Sequence, residues 1–131
     1  MLDKYEQPIY PFDLYVGINE NLEEILSNFI DFDGNDTNRT TNSIWDNADG
    51  VVYYEILNKD TNANAYLVAF PKAPDVPLVA HEAFHVLFRL NEFIKETTWG
   101  NEASAYLLEW IVKCIMTTTN KYKNDTHLEN N

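Results

Sequence analysis

PDVPLVAHEAFHVLFRLNEFIKETTWGNEASAYLLEWIVKCI, Pro74 to Ile115, is the stretch on which the reading of this chain turns. At its centre His81, Glu82, Ala83, Phe84 and His85 spell H-E-x-x-H, the pattern in which two histidines one helical turn apart bind Zn²⁺ and the glutamate between them serves as general base. Residues i and i+4 share one face of an α-helix, with Cβ atoms roughly 5–6 Å apart, so two imidazoles can converge on one ion. Glu82 lies about 100° round the helix from His81, out of line with that pair but within reach of a water beside the ion. The plain alternative is a pair of interfacial histidines that are merely hydrogen-bonded among apolar neighbours. With three histidines in the whole chain, a chance match to the pattern is rare.

The motif has the helical context it needs. Asp75 is a good N-cap, and Pro77 is tolerated in a first turn because its missing N–H would be unpaired there anyway. Leu78, Val79, Phe84, Leu87 and Phe88 supply apolar positions at helical spacing, which predicts a buried helix. Burial of His81 and Glu82 without partners would cost several kcal/mol, a cost that a metal ion and its water would relieve.

Catalytic zinc needs a third protein ligand, with the fourth position left to water. His127 lies in a polar stretch and reads as solvated. The next helical segment, Trp99 to Met116, offers Glu102 and Glu109. Two straight helices meeting at a symmetric turn near Thr97 would set Glu109 opposite His85. A first helix that stops near Leu90 or Asn91 would let Glu102 reach the ion.

HEAFH followed by NEASAY (Asn101 to Tyr106) resembles the small single-domain gluzincins of phages and bacteria, related in layout to the ImmA/IrrE metallopeptidases. The resemblance covers Val76 to about Ile115 and extends upstream by element order alone. It implies a minimal zincin-like fold and a zinc metallopeptidase activity. It also implies that the glutamate of an (Asp/Asn)-Glu-x-x-Ala-Tyr stretch is the third ligand, which falls on Glu102. In zinc peptidases of this kind an extended substrate is often laid on a sheet edge near the metal helix; here the strand would be Ala65 to Phe70 or its partner.

At 131 residues the chain is expected to form one domain, residues 1–119, followed by a polar tail, residues 120–131. The single cysteine, Cys114, cannot form an internal disulfide and falls among apolar helical residues, as a core side chain would. No apolar run has the form of a signal peptide or a membrane span, so a cytoplasmic protein is expected, in the host cytoplasm or a virion if phage-encoded. Net charge is −12, and residues 1–70 carry thirteen acidic groups against three basic ones. Without a basic stripe to displace counterions, nucleic acid is an unfavoured partner, whereas a basic peptide or protein segment would be steered in.

Upstream, Ile9 to Ile18 (IYPFDLYVGI) reads as a strand that starts after Pro11 or lies at an edge. Asn21 and Glu24 form a capping-box variant ahead of Leu22, Ile25, Leu26, Phe29 and Ile30, an amphipathic helical rhythm. Asp31 to Gly50 is polar and reads as a surface loop; its aspartates lack the later glutamate of a calcium loop. Val51 to Leu57 and Ala65 to Phe70, separated by NKDTNAN, read as a hairpin. The expected architecture is therefore α+β, a small antiparallel-containing sheet packed on helices in the order β-α-β-β-α-α.

The expected function is hydrolysis of peptide bonds in a peptide or protein substrate, with Zn²⁺ on His81, His85 and Glu102 and with Glu82 as general base. Tyr106, one turn after Glu102, is a candidate donor to the developing oxyanion, or else a core tyrosine. Two other classes stand beside this reading: a phage or bacterial structural or regulatory protein that keeps zinc for folding alone, and a metal-free interaction module.

Overall fold

A computed structural model describes residues 1–37, 45, 47–94 and 101–129. The described elements are β1 (Leu2–Glu6), β2 (Asp13–Ile18), α1 (Leu22–Leu26), β3 (Phe29–Asp31), β4 (Val51–Asn58), β5 (Asn64–Phe70), α2 (Val76–Ile94) and α3 (Asn101–Glu129). They form a mixed α+β fold around one five-stranded sheet of order β1-β2-β5-β4-β3. Only β2 and β5 pair in parallel, with Leu14 beside Tyr66, Val16 beside Val68 and Ile18 beside Phe70.

That central pair is buried on both faces, which is why both strands read as nearly unbroken apolar runs. Leu14, Val16, Ile18, Tyr66, Val68 and Phe70 face the long helices and pack with Val79, Ala83, Val86, Leu87 and Leu90 of α2 and with Leu107, Ile111, Cys114 and Ile115 of α3. Tyr15, Leu67 and Ala69 face the other way, onto Leu22, Ile25 and Leu26 of α1 and onto Phe29. Close approach of α1 depends on Gly17, where an added Cβ would stand 3.1 Å from Ile25 Cδ1.

Several expected elements are present. β2 begins two residues after Pro11, although it lies inside the sheet and not at an edge. The hairpin forms as β4 and β5, and Asn58 holds its turn by accepting at Oδ1 from the amides of Asp60 and Thr61 at 2.9 and 3.1 Å. Asp75 caps α2, its Oδ1 accepting from the Leu78 amide at 3.0 Å. Cys114 is a buried core thiol, and burial pushes its pKa up to about 12.

Elsewhere the chain departs from expectation. Asn21 does accept from the Glu24 amide at 3.3 Å, but α1 ends at Leu26. Ser27 and Asn28 side chains take up the final carbonyls of the turn, and Phe29 and Ile30 continue as β3, paired with Asn58 and Leu57. Phe29 is still buried; its ring meets Tyr15 edge-on at 4.9 Å. β1 was not expected at all, and α2 runs on to Ile94 where a stop near Leu90 or Asn91 was foreseen. The polar segment from Asn120 is helical as far as Glu129. Thr118 and Thr119 are fully buried, Tyr122 packs against the core, and Lys121 Nζ lies 3.3 Å from Asp3 Oδ2.

β4 carries a bulge, a register shift between Tyr53 and Ile56 at which Glu55 has φ of 55°. A glutamate in the left-handed region costs roughly 1 kcal/mol relative to glycine. Glu55→Gly should therefore be neutral or stabilising by up to about 1 kcal/mol in urea unfolding, and the β-branched Glu55→Val should destabilise by about 1–2 kcal/mol.

Candidate functional site

The buried stripe of α2 is Val79, Ala83, Val86, Leu87 and Leu90. His81, Phe84, His85 and Phe88 form the opposite, solvent-facing stripe, with Phe84 58% and Phe88 49% exposed. The motif thus sits on the outer face of a half-buried helix, and the two phenylalanines expected in the core lie outside it. Glu82, one residue round from His81, turns inward at the boundary between the stripes and is only 6% exposed.

The two imidazoles converge. Their Nε2 atoms lie 3.2 Å apart, and the rings meet edge-to-face with centroids at 4.8 Å. Two nitrogens bound at 2.0–2.1 Å to one tetrahedral zinc stand about 3.3 Å from each other, so this pair is spaced as a metal clip requires. A neutral N–H···N hydrogen bond between the rings has the same spacing in the absence of metal.

Glu82 lies against β4 and the residue before it. A Cβ on Gly50 would stand 3.1 Å from Glu82 Cγ and 3.0 Å from two ring carbons of Phe70, so any side chain there would press on the Glu82 methylene and the Phe70 ring. No protein donor among the described residues hydrogen-bonds the Glu82 carboxylate. Burial raises its pKa above the usual carboxylate range, and the neighbouring His81 and His85 partly offset the rise. An unbonded carboxylate in such a place is costly unless water or a ligand completes it.

These groups line a cleft of about 360 Å³ between α2 and β4, bounded by Gly50, Val51, Val52 and Tyr54 on the strand side and by His81, Glu82, His85 and Arg89 on the helix side. β5 is central in the sheet, so Ala65 to Phe70 offers no edge; the strand that borders the cleft is its partner β4. β3 pairs only with the Ile56–Asn58 end of β4.

The remaining expected site residues lie apart from this cleft. Glu102 is exposed in the first turn of α3, and among the described residues no three His, Cys, Asp or Glu side chains stand together as a metal group. Glu109 points outward, 59% exposed, with an ion pair to Lys113 at 3.6 Å. Tyr106 is 68% exposed and does not line the cleft. His127 lies in α3, and its side chain falls outside the described residues, as do Thr97 and Trp99.

Gly50, Tyr54 and Arg89 were not singled out from sequence. Arg89 could have been, since it follows His81 and His85 at i+8 and i+4 on the same helix. No family model matches the chain, nor does any curated protein or solved structure. No described helix is long and apolar enough to cross a membrane.

Gly50→Ala should force either the Phe70 ring or Glu82 to move, at a cost of about 1–3 kcal/mol seen as a lowered Tm. An unchanged Tm would show that Glu82 is less tightly held than its contacts imply.

Proposed function

We propose that this chain is a small zinc-dependent peptidase of the gluzincin type, hydrolysing peptide bonds in a peptide or protein substrate. The observation that carries the reading is the convergence of His81 and His85 Nε2 at 3.2 Å beside a buried, unbonded Glu82 in an open cleft. The resemblance of HEAFH and NEASAY to that group supports it. His81 and His85 would hold the ion, with Glu102 as the third donor proposed from the motif. When bound, zinc supplies a Lewis acid that polarises the scissile carbonyl and acidifies a water molecule.

The chain's own groups do the rest. Glu82, its carboxylate free of protein donors and directed into the cleft, takes the proton from the attacking water and passes it to the leaving amine. Its burial holds the carboxyl pKa above the usual carboxylate range, against the lowering effect of His81 and His85. The Val51–Tyr54 side of the cleft borders an extended substrate, and Gly50 keeps the floor open next to Glu82.

Two other readings stand beside it, a zinc-stabilised structural or regulatory protein without turnover and a metal-free interaction module. That Glu102 does not stand with the histidines among the described residues favours the metal-free module, since a zinc held for folding alone takes four protein donors. Metal content separates both zinc readings from that module. Purified wild type should carry about one zinc per chain and His81→Ala should lose most of it. Glu102→Ala should weaken zinc binding far more than Glu109→Ala, and the reverse order would move the third ligand to Glu109.

Glu82→Gln then separates enzyme from scaffold. It should keep zinc and Tm while peptide cleavage falls by several orders of magnitude. Zinc-loaded wild type that cleaves no member of a broad peptide library would leave the scaffold reading in place.

A further inference from the structure

We infer that Arg89 is an anchor for a carboxylate of the substrate, one or two residues from the scissile bond. The inference rests on the peptidase reading for the word substrate, but the binding it describes does not depend on turnover. Among the described residues Arg89 is the one arginine or lysine that lines the cleft, on the same helix as His81 and His85. An α-helix rises about 1.5 Å per residue, so Arg89 stands about 6 Å beyond His85 along α2. An extended peptide advances about 3.3 Å per residue, so that distance spans roughly two residues of substrate.

The guanidinium is held in place and yet not used up. Its carbon lies 4.2 Å from the centroid of the Tyr54 ring, a cation–π stack that fixes the plane of the group at the end of the cleft. Tyr54 is presented there by the β4 bulge, next to Glu55 with its φ of 55°. A bulge that re-aims a cleft residue at the cost of an unfavourable backbone conformation is characteristic of ligand-binding sites. Among the described residues the ionic partner of Arg89 is Glu92, through a single Nη1–Oε2 contact at 3.1 Å between partly exposed side chains. Arginine has five N–H donors in a planar fork, so a second carboxylate can be received while Tyr54 still stacks.

The overall charge of −12 would draw a basic segment toward the surface, but the cleft sets two imidazoles and this guanidinium beside the Glu82 carboxylate, with the guanidinium at the end away from His81. The carboxylate recognised is either the C-terminus of a peptide or an Asp or Glu side chain, and matched probes distinguish them. Three peptides of the same alanine-rich sequence serve: one blocked at both ends and neutral, one with a free C-terminal carboxylate, and one blocked at both ends with a single Glu. Affinities are read by titration calorimetry on zinc-loaded Glu82→Gln protein, which removes cleavage, and on the same protein with Arg89→Gln, Arg89→Lys or Glu92→Gln added.

At least one acidic peptide should bind tenfold or more tightly than the neutral one, and Arg89→Gln should abolish that preference with zinc content unchanged. Arg89→Lys, which keeps the charge and loses the fork, should retain only part of it. Glu92→Gln, which frees the guanidinium, should strengthen acidic-peptide binding several-fold, an effect that a purely structural Arg89 would not show. Equal affinities for the three peptides, no binding of any of them up to millimolar concentration, or a preference that survives Arg89→Gln would each overturn the inference. Repeating the titrations on protein without added zinc keeps the two ideas apart, because a carboxylate preference that persists there stands even if the zinc reading fails.

Discussion

The parallel pairing of β2 with β5 is the constraint from which the rest of the molecule follows. A parallel pair cannot be closed by a tight turn, so the chain between Ile18 and Asn64 must cross over; it leaves the sheet through α1 and rejoins it as β3 and β4 before entering β5. The pair sits at the middle of the sheet with apolar side chains on both faces, so both faces have to be covered. α1 covers one and the α2–α3 pair the other. β4 is then laid against β5 in antiparallel fashion, and the turn out of β5 brings α2 back beside β4. The cleft is the seam that this return path leaves between a helix and a strand.

Within that seam the important division runs along α2. One stripe is committed to the core by Val79, Ala83, Val86 and Leu90, each fully or almost fully buried. The opposite stripe is aromatic and exposed, with two imidazoles that converge. Glu82 occupies the border, where its carbon chain is packed by Phe70 and the Gly50 backbone while its carboxylate meets the cleft. The geometry depends on a missing side chain at position 50 as much as on the groups present. A packed interior resists change of even a methyl group, so the position of Glu82 is held from below by the same core that holds the helix.

Much of this was legible in the sequence where local and tertiary preferences agree. The helical spacing around HEAFH, the Asp75 cap, the hairpin with Asn58 at its turn and the core role of Cys114 could all be read directly. β1 could not, because LDKYE has apolar residues only at Leu2 and Tyr5 and no alternation. Its place is set by pairing with β2 and by distant polar contacts, in which Tyr5 Oη lies 2.7 Å from Thr118 Oγ1 and Thr118 donates to Asp3 at 2.7 Å. Phe29 and Ile30 misled for a related reason: their spacing continues a helix, but Ser27 and Asn28 close it and β4 offers a strand partner. The outward aim of Phe84 and Phe88 is a rotation about the helix axis that apolar spacing alone did not choose. Arg89 was within reach of the i+4 rule, whereas Tyr54 owes its position to a bulge that only strand register reveals.

The length of α2 bears directly on which residue could be the third donor of the proposed zinc site. Nine residues separate His85 from Ile94, a rise of about 13.5 Å, and a second helix that starts at Asn101 and runs back alongside regains the level of His85 only near Trp110. Glu109 is therefore at about the right height, but α3 turns Leu107 and Ile111 to the core and leaves Glu109 outside with Lys113. On the same count of helical rise Glu102 falls some two turns too far along, in a segment whose Glu102, Ala103, Ala105 and Tyr106 are all exposed. The motif of the gluzincins that NEASAY resembles selects one glutamate and helix arithmetic the other, and each falls short by a different coordinate, height for Glu102 and rotation for Glu109. Correcting the height requires the first turns of α3 to approach the histidines; Glu102, Ala103, Ala105 and Tyr106 are exposed there and Ser104 is half-buried, so little buried contact has to be given up. Correcting the rotation would pull Leu107 and Ile111 out of a core in which they are almost completely buried, at a cost of about 2–5 kcal/mol for each side chain withdrawn. On that difference in cost, Glu102 is the third donor we propose for a zinc on His81 and His85.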